Sequence, residues 1–170
     1  MTLDALNALP HEDARRELLR CCGSLTWAER VTLARPFTDR MAFTACAERV
    51  WWSLEPDDWR EAFAHHPRIG DLDSLRKRFA STADWARNEQ AGAAAASEET
   101  LVALADGNRA YEERFGFRFI VCATGKSAGQ MLALLRDRLG HGPEVELRAA
   151  AGEQMKITSL RLEKLLKEGA

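Results

Sequence analysis

Apolar residues recur along this chain at helical intervals, and only one stretch departs from that spacing. Pro10 can open a helix at its first turn, with Leu18, Cys21 and Cys22 on the apolar side. Trp27, Val31 and Ala34 form a stripe that stops before Pro36. The segment Asp39 to Leu54 sets Ala42, Ala45, Cys46, Arg49 and Val50 on one side, with Trp51 and Trp52 near its end, and "EPDDW" starts the next helix. From Ala83 to Gly116 good helix formers dominate, and Ser-x-x-Thr at Ser97 predicts a break into two tandem helices. Ser127 and Gln130 supply a capping-box pair before "MLALLRDRL", and Pro143 can open a long terminal helix. The exception is "FGFRFIVCATG", β-branched and aromatic, too short and isolated to build a sheet. These features predict an all-α, single-domain helical bundle over residues 1–170, with one short extended segment near residues 117–123.

Composition narrows the functional classes. A chain of 170 residues with 46% hydrophobic content can bury one sizeable core. Its 24 basic and 26 acidic residues give a formal charge of −2, which offers no electrostatic footprint for nucleic acid or an anionic membrane, so a small-molecule or protein partner is favoured. No run of 18 apolar residues occurs, and "MTLDALNALPHEDARRELL" lacks the basic start and apolar block of a secretory signal, so a soluble, cytoplasmic protein is expected. Cys21, Cys22, Cys46 and Cys122 show no zinc-type pairing and read as buried reduced thiols. Thr-Gly-Lys-Ser at 124–127 invites a phosphate-loop reading, which fails because Ile120 stands where the first glycine is needed. A helix N-terminus able to attract an anion remains, a signal that many helices share.

Two stretches carry candidate chemistry. In "HHPRIG", Pro67 disfavours αR geometry in the residue before it, so the helix bearing Trp59 and Phe63 should end near His65 and leave His66 extended and turned off the helix. The negative end of the helix dipole favours the imidazolium, which suits proton transfer, although a solvated or capping histidine fits the same local sequence. Gly70 allows either a sharp turn or close approach to a ligand. In "WARNEQAG", Glu89 stands one turn after Trp85 among the small residues Ala86, Gly92 and Ala93. A carboxylate beside tryptophan can be desolvated and raised in pKa, while a solvated glutamate is the alternative.

"HHPRIG", "WARNEQAG" and "YEERFGFRFIVCATGKSA", in that order, resemble the 2-oxo-4-hydroxy-4-carboxy-5-ureidoimidazoline (OHCU) decarboxylases of uric acid breakdown. The likeness runs from "LNALP" through "CCGSLTWAERV" and "RPF" to "ITSLRLEKLL". It implies an all-α homodimer that converts OHCU to (S)-allantoin without metal or organic cofactor. By the same resemblance His66 is the catalytic histidine, Glu89 the catalytic glutamate and Gln90 a substrate contact. Pro67, Ala86 and the backbone of Phe119, Ile120, Val121, Cys122 and Ala123 match the remaining substrate-contact positions. Ala86 departs from the serine that related sequences often carry, so one side-chain hydrogen bond to substrate is either absent or replaced by water.

The implied chemistry needs no cofactor. The carboxylate of OHCU lies on a carbon next to a ring C=N bond that can receive the electrons released with CO2, leaving the protein to orient the ring and exchange protons. Two rivals stand beside this reading. A metal-dependent hydrolase would use His65, His66, Asp71 and Asp73, but the chain has no helix-spaced histidine pair. An all-α interaction module would dock through the Arg-Leu-rich terminal helix.

Overall fold

A computed structural model describes residues 1–66, 72, 73, 75, 76, 79 and 91–167, the side chains of 91–97 and 167 excepted. All regular structure among these residues is helical, in keeping with the all-α expectation. The chain forms two compact units, Met1–His65 with Ala149–Ala170, and His66–Arg148.

The first unit holds α1 (Leu3–Ala8), α2 (His11–Cys22), α3 (Leu25–Leu33), α4 (Arg40–Trp52) and α5 (Pro56–Ala64). Side-chain caps fix several starts: Ser24 accepts from the Trp27 N–H and Asp39 from the Ala42 N–H. Leu18, Trp27, Phe43, Trp51 and Phe63 are fully buried. Each core indole N–H finds a main-chain carbonyl: Trp27 donates to Ala47 at 2.9 Å, Trp51 to Ala151 at 3.0 Å and Trp59 to Trp51 at 3.0 Å. Large aromatics thus enter the core without stranding a polar atom.

Two details differ from the sequence expectation. In α4 the buried residues are Phe43, Cys46, Ala47 and Trp51, while Ala45 and Arg49 are exposed. The bulk of Phe43 and Trp51 sets the inward face, overriding the smaller alanines. Ala34 is the exposed C-cap of α3, so its stripe ends at Val31 and Thr32.

The second unit contains α6 (Ala91–Phe115), α7 (Ala128–Leu139) and the start of α8 (Pro143–Lys167), whose later turns belong to the first unit. Leu75, Leu104, Tyr111 and Leu135 are fully buried in its core, with Leu101, Phe119, Val121 and Met131 around them. Gly107 lets α6 and α7 approach: a Cβ there would lie 2.7 Å from Leu135 Cδ2. The expected break at Ser97 is absent, and α6 runs unbroken through it. Thr100 stands where a capping box needs Glu or Gln, and the alanines before Ser97 favour continued helix. At Ser127 the box is complete, and α7 begins there.

Candidate active site

Local sequence dictates how α5 delivers the histidine pair. Pro56 occupies its first turn, Glu55 and Asp58 form a capping box, and His65 is the C-cap with φ −78° and ψ −11°. The helix ends where the sequence placed its end. His65 stays in helical geometry and is exposed, while His66 lies past the helix in a bend and is half-buried. Pro67, Ala86, Glu89 and Gln90 lie outside the described residues, as does Asp71.

The His66 main chain is fastened to the segment after α6. Arg118 Nη1 donates to the His66 carbonyl, joining two of the three stretches that the sequence singled out. In that segment Phe119, Ile120, Val121 and Cys122 are buried and Ala123 is half-buried. Residues 118–123 are neither helical nor paired in a ladder. Their carbonyls are partly committed: Ile120 accepts from Arg138 Nη1 at 2.6 Å, Cys122 from Lys126 Nζ at 2.7 Å, and Ala123 from the Lys126 N–H at 3.1 Å.

Behind the segment lies a buried polar network that the sequence reading missed. Arg138 Nε donates to Glu146 Oε1 at 2.8 Å, the Tyr111 hydroxyl donates to the same oxygen, and His141 Nδ1 lies 2.8 Å from Glu146 Oε2. The Glu146 side chain is fully buried, and the Arg138 guanidinium stacks over Phe119 with its central carbon 4.7 Å from the ring centroid. Burial, with the Glu146 carboxylate beside it, pushes the Tyr111 phenol well above its ordinary pKa, so it remains a donor. In sequence Arg138 and Glu146 look like solvated helix charges. The signal was their position on either side of the "GHGP" turn, which can bring two such helix ends together.

Elsewhere the four cysteines are free and buried. Burial pushes the Cys21 thiol up to about 11 and the Cys22 thiol up to about 12. Among the described residues, no group of three or more His, Cys, Asp or Glu side chains could hold a metal ion. Asp73, one of the hydrolase rival's residues, is an exposed partner of Arg76 at 3.0 Å. No helix among the described residues is long and apolar enough to cross a membrane.

Helical throughout its regular structure among the described residues, with a helix-end histidine tied through its carbonyl to a buried, unladdered segment, the protein falls in the all-α class. Within that class, the family model for OHCU decarboxylase matches residues 7–163, and the chain belongs to this family of uric acid degradation. It is 40% identical over 155 residues to the uric acid degradation bifunctional protein TTL of Arabidopsis thaliana, covering 88% of this chain and 46% of that protein. This chain therefore spans about half the length of that relative. The 2-oxo-4-hydroxy-4-carboxy-5-ureidoimidazoline decarboxylase of Amia calva is 36% identical over 145 residues, covering 82% of this chain and 79% of that one. A crystal structure of OHCU decarboxylase in the presence of (S)-allantoin superposes with a TM-score of 0.71 at 37% identity, covering 89% of this chain and 97% of that one.

Proposed function

We propose that this chain decarboxylates OHCU to (S)-allantoin, with His66 and Glu89 as its catalytic groups and no metal or organic cofactor. The observation that carries the reading is the Arg118 bond to the His66 carbonyl, which anchors the candidate acid–base histidine to the buried segment 119–123. Family membership supplies the substrate class.

In the proposed reaction the bond from the ring carbon to the carboxylate breaks and CO2 leaves. The released pair moves into the adjacent ring C=N, whose nitrogen takes up one proton from solvent, while the hydroxyl on the same carbon gives up its proton and becomes the carbonyl, and the ureido-bearing carbon gains a proton. His66 serves the hydroxyl and carboxylate as a general acid–base group. Glu89, with Gln90 beside it, holds the ring and steers protonation to one face, while Pro67, Ala86 and the backbone of 119–123 complete the pocket. Residues 1–170 act as one functional domain in a homodimer, as the family resemblance implies, and the protein works in the cytoplasm; sedimentation at micromolar concentration tests the dimer.

The test is (S)-allantoin formation from freshly generated OHCU, followed by circular dichroism with the uncatalysed decay subtracted. His66→Gln is expected to lower turnover by about 100-fold or more, the contribution of a positioned acid–base group. Glu89→Gln keeps shape and removes charge, so turnover should fall at unchanged melting temperature. Wild-type rates in both variants would sink the assignment. Exhaustive chelation should leave activity intact, and activity lost and then restored by zinc or manganese would favour the hydrolase rival.

A further inference from the structure

Two aromatic rings flank Arg118 in the chain and settle which way it faces. Gly116, left-handed at φ 75°, ends α6 with its N–H on the Glu112 carbonyl, and the chain leaves the helix through Phe117, Arg118 and Phe119. Phe117 and Phe119 both meet the ring of fully buried Tyr111 edge-on, with centroids 5.7 Å and 5.2 Å from it. Alternate residues of an extended stretch share a face. With both neighbours on Tyr111, the half-buried Arg118 side chain is turned the other way, where its Nη1 donates to the His66 carbonyl.

That carbonyl belongs to the amide joining His66 to Pro67. Proline brings no N–H, so the carbonyl is the one hydrogen-bonding group of that amide. On the preceding side, His65 is still held by α5, its N–H reaching the Ala62 carbonyl at 3.2 Å. The helix therefore fixes the main chain before His66, and the guanidinium fixes it after, through a charge-assisted bond stronger than a neutral one. The imidazole projects from a backbone held at both ends.

We propose that Arg118 is a positioning residue for the decarboxylation, setting the pose of the His66 imidazole through the main chain without touching the substrate. This rests on the decarboxylase reading above and deepens it by naming what holds the acid–base histidine once its helix has ended. Proton transfer requires the imidazole within hydrogen-bond reach of the reacting group, and a misplacement of about 1 Å can cost about 100-fold in rate. The aim of His66 is thus governed by a residue 52 positions away, itself aimed by the grip of Phe117 and Phe119 on Tyr111.

The test uses the full chain in two measurements. Arg118→Met keeps the apolar stem and loses the donor, so kcat for OHCU should fall about tenfold at nearly constant KM, the pattern of an orientation that matters in the transition state. Arg118→Lys, which can still donate to a carbonyl, should restore part of kcat, and the melting temperature should move little in either variant. The chain has four histidines, so their ring signals can be told apart in a 15N-labelled sample. Arg118→Met should move the His66 ring signals and leave those of His11 and His141 in place. Wild-type kcat in Arg118→Met, a loss carried by KM instead, or a lowered kcat with unmoved His66 signals would overturn the inference while leaving the decarboxylase reading intact. A wild-type protein that does not turn over OHCU would remove that reading, and this inference with it.

Discussion

His65 and His66 are neighbours with different surroundings. The Cβ of His65 sits over Gly23, the left-handed C-cap of α2 at φ 89°, and a Cβ added to Gly23 would lie 2.8 Å from it. The histidine thus packs at its base even though it is exposed overall. Gly23→Ala meets both a strained backbone and a hard contact, and is expected to cost about 2 kcal/mol or more in urea denaturation. Because His65 has this structural place, His65→Gln should reduce OHCU turnover far less than His66→Gln. A larger loss at His65 would overturn the assignment of roles. The end of α5 was legible because Pro67 acts on its immediate neighbour, a local rule. The tie from Arg118 was not, since it joins residues 52 positions apart and no pattern in either stretch announces it.

At the scale of elements, ends were legible and faces less so. Caps depend on three or four consecutive residues: Ser127 accepts from Gln130 N–H at 3.2 Å while the Gln130 side chain accepts from Ser127 N–H at 2.9 Å. The inward face of α4 depends on which large ring finds room, a matter of tertiary packing. Its N-cap yields a pH prediction. The hydrogen bond from the Ala42 N–H, with further help from Thr38, holds the Asp39 carboxyl below its ordinary 3.8. A group depressed in the folded state stabilises it above the ordinary value and loses that contribution as pH falls through the lowered one. Asp39→Asn keeps a capping oxygen and removes the charge. Its urea midpoint should lie below wild type at neutral pH, and the gap should close as pH drops below 3.8. A gap unchanged at acid pH would mean that the charge contributes nothing to α4.

At the scale of the whole molecule, α8 starts in one compact unit and finishes in the other. Its first turns carry Glu146, which binds Arg138 of α7 and Tyr111 of α6, while Arg138 also holds the Ile120 carbonyl. One buried carboxylate therefore fixes three helices and the candidate substrate segment. Such a network escapes a sequence reading because each charge, taken alone, resembles a solvated one. Arg138→Met alone leaves Glu146 buried without its cation, and is expected to cost about 3–5 kcal/mol. Replacing the group together, as Arg138→Met with Glu146→Leu, removes the uncompensated charge and should recover most of that stability. The Tyr111 hydroxyl would then be orphaned, so Tyr111→Phe completes the apolar set. If the network served stability alone, this triple variant would regain wild-type turnover of OHCU along with its melting temperature. Because Arg138 also fastens the Ile120 carbonyl, the triple variant should fold and still turn OHCU over with a raised KM. Stability by urea denaturation and KM by circular dichroism, measured on the same preparation, separate the two roles; recovery of both would reduce Arg138 to a structural residue.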